Sequence, residues 1–401
     1  MRVLGMRAAV LGSAAIAVAS LVVTLPAVKA YSHHPSPAYA AIEELQQILS
    51  RAPESVVGAH QRFARVLETR PVAARILPSP VMRESTELAA YWLGRGRATV
   101  WYFSDPARGD LELVDPLSRR VHGHYGWKFP REAFMSGVRP DILDLVEIDS
   151  PPGWFAQTGW HLTPETLNIS ERQGRAEGIA HIRNRPDAAL LVLAGESTAA
   201  AGGKPARVSV RVGDRLVDEW EVAAGARFFR RTLLEPGALA AAGPFTRLIA
   251  SYKGSDGRAA PVRLTQLMVA SPQTVFHVKH AGWNEVEYSD QVQRRWQWTS
   301  GRAEIFVNAA GRDVALTLAG ESPLRYFATA PRVTVSAGDH VLATAQPSSD
   351  FELNVKVPAA ALAAADGMLT IETDQSFVPH ERTGSPDRRT LGLRIFELRL
   401  Q

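Results

Sequence analysis

The feature that most constrains this chain is a repeat in its second half. Leu193-Ala194-Gly195-Glu196-Ser197 recurs as Leu318-Ala319-Gly320-Glu321-Ser322, and Ala206-Arg207-Val208-Ser209-Val210 answers Pro331-Arg332-Val333-Thr334-Val335, both at a spacing of 125. A Gly-Asp pair follows each of the latter strings, at Gly213-Asp214 and Gly338-Asp339. Gly159-Trp160 answers Gly282-Trp283 at a spacing of 123, and Pro236–Ala241 answers the alanine-rich run around Leu362. Kept order and spacing mean two copies of one folding unit. Within each copy, short runs rich in β-branched residues alternate with Gly, Pro and Asp, as in Ala188–Leu193, Leu216–Val222, Arg263–Val269, Glu304–Val307, Val314–Leu318 and Met368–Thr373. Such spacing predicts β-sandwiches. In the last run, Leu391–Leu400, the apolar alternation changes parity at Ile395-Phe396, which predicts a β-bulge.

The region before the repeat reads differently. Ser36-Pro37 opens a helix through about Arg51, with Ile42, Leu45, Ile48 and Leu49 on one face. Strand-like runs (Ser55–Ala59, Ala74–Leu77, Ala98–Phe103, Arg120–Trp127, Ile142–Ile148) then alternate with helical stretches at Gln61–Glu68 and Glu84–Leu93. That order predicts a small α/β layer, Rossmann-like, with a partly parallel sheet. The shift at Ser150-Pro151-Pro152-Gly153 closes it.

At the N-terminus, Arg2 and Arg7 precede an uncharged stretch over residues 8–28, and Lys29 follows. Its 21 residues exceed a signal-peptide core and match the roughly 20 that span a bilayer. The flanking charges place the N-terminus inside and the body outside. The reading is a single-pass anchor in the cytoplasmic membrane with an extracytoplasmic body. Cleavage after Val28-Lys29-Ala30, leaving an exported protein, is the alternative. The fold class is thus multidomain α+β: a signal or anchor segment over 1–30, an α/β domain over 31–150, and two tandem β-sandwiches over 151–271 and 272–401.

Composition removes several kinds of chemistry. There is no cysteine, hence no disulfide, thiolate metal site or cysteine nucleophile. Residues 1–30 carry three basic residues and no acid, which lowers the formal charge of the rest from +4 to +1. A near-neutral body with interspersed signs lacks the electrostatic footprint of a nucleic-acid binder. No Gly-x-Ser-x-Gly elbow, P-loop or dinucleotide fingerprint occurs. The closest histidine pairs, His122/His124 and His277/His280, lack a third ligand at metal spacing. No catalytic residue, metal or cofactor is expected. Glu196 and Glu321 sit at equivalent places in separate repeats, and a turn or capping role suits them better than a glycosidase acid pair. The loop 377–389 is polar, and Asp387 can order it by pairing with Arg388 or Arg389.

The tryptophans are the candidate ligand-binding residues: Trp154 and Trp160 in the first sandwich, Trp283, Trp296 and Trp298 in the second. Trp296 and Trp298 are two apart and share a face of an extended strand. Exposed, such rings would stack on the apolar face of a sugar; buried, they would fill the space between the sheets.

Several strings carry a family resemblance: Pro151-Pro152-Gly153-Trp154-Phe155, Gly159-Trp160-His161-Leu162-Thr163-Pro164-Glu165, Trp296-Gln297-Trp298-Thr299-Ser300, Gly320-Glu321-Ser322-Pro323-Leu324-Arg325-Tyr326-Phe327, and Ser376–Pro379 through Leu391-Gly392-Leu393. The chain resembles, over nearly its whole length, the C-terminal extracytoplasmic part of bacterial polytopic membrane glycosyltransferases of the dolichyl-phosphate-mannose–protein mannosyltransferase type, with the GT-C architecture. The resemblance implies a tail beside a many-helix body that holds a lipid-linked sugar donor. This chain has one candidate span and no acidic external loop of that kind, so no catalytic residue carries over. The leading expectation is a non-enzymatic envelope protein whose sandwiches contact envelope glycan. Its rivals are a fragment or subunit paired with a polytopic glycosyltransferase, and an envelope polysaccharide hydrolase.

Overall fold

The computed structural model describes residues 12–22, 24–25, 28–29, 37–77, 86–106, 109, 111–127, 141–162, 177–200, 202–289 and 294–401. Residues 12–22 are helical and exposed, and part of the span expected over residues 8–28 lies outside the described residues. Among the described residues, no helix is long and apolar enough to cross a membrane.

The first layer is a five-stranded sheet in the order β2-β1-β3-β5-β4, built from β1 (Val56–Ala59), β2 (Arg75–Ile76), β3 (Val100–Ser104), β4 (Arg119–Trp127) and β5 (Asp141–Ile148). β1 pairs in parallel with β2 and β3, and β5 runs antiparallel to β3 and β4. The mixture matches the expected partly parallel sheet. Alternation along β3 explains burial on both faces. Trp101 and Phe103 face helices α1 (Pro37–Leu49) and α2 (Gln61–Thr69), with Ile42, Leu45 and Phe63 across from them. Val100 and Tyr102 face α3 (Thr86–Leu93), with Leu88 and Trp92 opposite. The strand expected at Ala74–Leu77 shortens to two exposed edge residues.

The two sandwiches share one topology. In the first, β6 (Trp154–Thr158), β7 (Glu177–Arg183), β9 (Ala206–Val212), β10 (Arg215–Val222) and β12 (Phe245–Gly254) form one sheet in the order β10-β9-β12-β7-β6. β8 (Ala189–Ser197), β11 (Arg227–Leu234) and β13 (Val262–Ala270) form the other, ordered β11-β8-β13. In the second, β14 (Phe276–Lys279), β17 (Arg302–Asn308), β19 (Val333–Ala337), β20 (His340–Ala345) and β22 (Met368–Thr373) repeat the first order as β20-β19-β22-β17-β14. β18 (Val314–Glu321), β21 (Asp350–Val357) and β23 (Arg394–Leu400) repeat the other as β21-β18-β23, and the hairpin β15 (Trp283–Ser289)–β16 (Arg294–Thr299) extends that sheet. The Gly-Asp pairs are two-residue turns of equivalent hairpins, closing Val212↔Arg215 and Ala337↔His340.

Two details tie sequence to packing. Gly320 pairs with Ile395 and Ala319 with Glu397, so Phe396 is the extra residue of the expected bulge. The first copy has the same bulge at Thr265, where register shifts between Leu264 and Gln266. Inward residues change parity there, from Val262 and Leu264 to Leu267 and Val269. The Gly-Trp strings are staples. Trp160 Nε1 donates to Ile179 O at 2.8 Å, and Trp283 Nε1 donates to Glu304 O at 2.8 Å.

Burial also sets a pH response in the first sandwich. His181 on β7 stacks on Phe155 and contacts Gln157 Oε1 at 2.8 Å. Burial, then the Arg247 charge, lowers its imidazole from 6.5 to about 4. A depressed folded value means protons bind the unfolded chain more tightly. The contribution is complete above about pH 6.5 and is lost as pH falls towards 4. With allowance for solvent screening, acidification from pH 7 to 5 costs about 1 kcal/mol at this site. Urea unfolding at the two pH values checks it: His181→Gln should narrow the difference between the midpoints, and an unchanged difference would assign the acid sensitivity elsewhere.

Candidate functional site

Three of the five candidate tryptophans are structural. Trp154 and Trp160 belong to the first sandwich's core, at 2% and 1% exposure, and Trp298 is 5% exposed against Phe377 and Leu391. Rings buried that far have no face left for a sugar, which corrects the stacking expectation for these residues. Trp296 is half-buried, and its indole N–H donates to Glu287 Oε2 at 3.1 Å. Trp296 and Trp298 do share a face: the Arg394 guanidinium lies 4.7 and 4.8 Å from their rings. Trp283 is half-buried and lines a cleft.

That cleft, of about 740 Å³, lies between the two sandwiches. Its first wall is the end of β8 (Ala194, Gly195, Glu196), the start of β11 (Arg227, Phe228) and the bulged part of β13 (Arg263, Thr265, Gln266). Its second wall is β15 from Trp283 to Glu287, Gln297 of β16, and Arg389 from the polar loop. Away from the cleft, an apolar contact joins the sandwiches: Val192, Met268 and Ala270 pack with Phe276, Val278 and Phe306. Arg231 pairs with Asp366 across the same boundary. The walls are therefore held in place.

The electrostatics differ between the walls. On the first, Glu196 lies 3.4 Å from Arg227 and 3.7 Å from Arg263. On the second, Arg389 binds Asp387 at 2.6 Å and Glu287 at 2.7 Å. Those two carboxylates, Asp387 first, hold the guanidinium above its ordinary value, and the expected ordering role of Asp387 is met here. Gln297 Nε2 donates to Asn284 O at 2.5 Å, and Asn284 Nδ2 donates to Trp298 O at 3.3 Å. Behind this wall, burial and then Arg295 bring the Lys279 ammonium down to about 8, with Nζ 4.9 Å from the Trp283 ring.

Glu321 ends β18 and Glu196 stands one residue before the end of β8, and both form ion pairs in place of the expected turn or cap. Glu321 binds Arg394 at 2.9 Å, the counterpart of Glu196 with Arg263. The histidine pairs separate: His122 meets Glu44 at 3.0 Å, His124 meets Asp144 at 2.5 Å, and His280 meets Glu304 at 2.7 Å. Among the described residues, no group of three His, Asp or Glu side chains could hold a metal ion. Sequence reading missed Arg227, Arg263, Asn284, Glu287 and Gln297, and gave Arg389 only as a loop-ordering partner of Asp387. Of the missed residues only Arg263 left a signal: it stands two residues before its bulge, as Arg394 does before its own.

No family model matches the chain, and no curated protein matches it. Among solved structures, a Clostridium perfringens ZmpB structure comprising an M60 catalytic domain with CBM51-1 and CBM51-2 domains is similar at 8% identity and TM-score 0.19, covering 71% of this chain and 43% of that one. The plant receptor-like kinase ANX1 is similar at 10% identity and TM-score 0.18, covering 56% and 82%. An allantoicase is similar at 12% identity and TM-score 0.23, covering 78% and 96%. Likenesses this slight carry no argument about fold or function.

Proposed function

We propose that this is a non-enzymatic cell-envelope protein whose tandem β-sandwiches bind envelope glycan in the cleft between them. Residues 8–28 anchor it in the cytoplasmic membrane with its body outside, or direct its export. The observation that carries the reading is the cleft itself: a preformed concavity lined by planar polar side chains that can donate and accept in pairs, with Phe228 and Trp283 supplying ring surface. That combination suits vicinal hydroxyls on an otherwise apolar ring.

Retention of the purified chain on immobilised envelope polysaccharide tests it. Asn284→Ala should weaken retention about tenfold, the effect of losing about 1.4 kcal/mol of recognition, while loss of its bond to Trp298 O lowers stability by only about 1 kcal/mol. Failure to bind any envelope polysaccharide would sink the reading. Release of sugar by the purified chain would overturn its non-enzymatic part. Co-purification with a polytopic membrane glycosyltransferase would make the cleft an accessory site of that enzyme, as the family resemblance implies.

A further inference from the structure

The same ion pair occurs twice in this molecule, and its two forms differ. In the second copy, Glu321 binds Arg394 at 2.9 Å, and two indoles pack on the guanidinium at 4.7 and 4.8 Å. That is a closed, charge-assisted hydrogen bond of ordinary length. In the first copy, Glu196 stands between two guanidiniums at 3.4 and 3.7 Å, and all three side chains line the cleft. These separations exceed a charge-assisted hydrogen bond. The charges attract without a short hydrogen bond, and their cleft-facing side lets a hydroxyl oxygen sit astride the contact, within reach of the carboxylate and a guanidinium together.

Resting on the cleft-binding reading above, we propose that the ligand is an uncharged glycan whose neighbouring hydroxyls bridge Glu196 to Arg227 and Arg263. A hydroxyl donates to the carboxylate and accepts from a guanidinium, so it can flank the pair and leave their attraction intact. A ligand carboxylate or phosphate would compete with Glu196 for the arginines and be repelled by its charge. An ammonium group would meet the arginines themselves. The whole cleft agrees: Glu196, Glu285 and Glu287 offset Arg227, Arg263 and Arg389, so its lining has no net formal charge. The amides of Asn284 and Gln297 stand on the facing wall.

Calorimetric titration of the full chain tests this, with a neutral hexose oligosaccharide and an oligouronate of the same length as probes. Each is measured at about 0.05 M and about 0.5 M salt, which spans strong to weak screening. The neutral probe should bind with an affinity that changes less than about twofold between the two salts. The uronate should bind at least about tenfold more weakly. Arg227→Ala and Glu196→Gln should each weaken the neutral probe about tenfold or more. The Arg227 side chain is 61% exposed, so its removal leaves folding intact and secures the test if Glu196→Gln fails to fold. Tighter, salt-sensitive binding of the uronate would overturn the uncharged class and leave the cleft reading standing. Unchanged affinity in Arg227→Ala and in Glu196→Gln would place the sugar elsewhere and overturn the bridging role. Binding of neither probe would overturn this proposal together with the glycan reading.

Discussion

Gly282→Ala should destabilise the second sandwich by about 4 kcal/mol, a fall in its melting temperature on the order of 10–20 °C for a unit of this size. Gly282 has φ +78, and a Cβ added there would lie 1.9 Å from Arg302 O and 2.8 Å from Ala303 Cα. Both obstacles are backbone atoms at the start of β17, so no side-chain rotation relieves the clash. Moving that backbone would also pull Glu304 O away from the Trp283 indole N–H that it accepts. The first copy supplies a second instance. Gly159 has φ +76, and its added Cβ would lie 2.0 Å from Glu177 O at the start of β7. Gly159→Ala should therefore cost about as much, in the first sandwich. Thermal unfolding of the two variants, with near-UV circular dichroism separating the halves by their tryptophans, checks the pair. A loss under about 1 kcal/mol in either would mean that the staple is not a determinant of the fold.

The repeat was legible because it encodes backbone demands. Gly159-Trp160 and Gly282-Trp283 must meet the same strand start, and Gly213-Asp214 and Gly338-Asp339 must close the same hairpin. Such requirements fix residue types at fixed spacing. The bulge at Phe396 was legible for a similar reason, since a half-buried strand cannot change parity without one. Its twin at Thr265 left the same trace in Val262, Leu264, Leu267 and Val269. The cleft was not legible. Glu196 meets Arg263 from 67 positions away and Glu321 meets Arg394 from 73, so the partners fall outside the constant spacing that exposed the repeat. Nothing in the residue types separates a loose pair from a closed one; that depends on what packs over each arginine. Strand spacing placed Trp296 and Trp298 on one face and could not say what that face meets. The strings that resemble a glycosyltransferase tail fall largely on staples and cores such as Trp154, Trp160 and Trp298. They are positions of architecture, and Arg227 and Arg263 of the cleft lie outside them.

Trp160→Ala separates the two meanings that a tryptophan can have in this chain. Its ring is 1% exposed in the first sandwich's core, in the same buried cluster as Ala180 and Leu264, and its N–H satisfies Ile179 O. Truncation removes the ring, leaves a cavity and strands a part-buried acceptor, so the expected cost is about 4 kcal/mol. Trp160→Phe keeps most of the volume and loses the hydrogen bond, which should cost only about 1–2 kcal/mol. A ligand platform would behave otherwise. Trp296→Ala removes a half-buried ring whose neighbours are Arg394 and Glu287, so it should cost about 1 kcal/mol. Glycan binding measured below each variant's melting transition then makes the division sharp. Trp160→Phe should bind as the parent does, because the cleft walls survive. Trp296→Ala should weaken binding only through Glu287, which holds Arg389 on the cleft wall. If instead Trp160→Phe loses binding while its stability is unchanged, the core assignment of that ring is wrong and the stacking surface lies in the first sandwich.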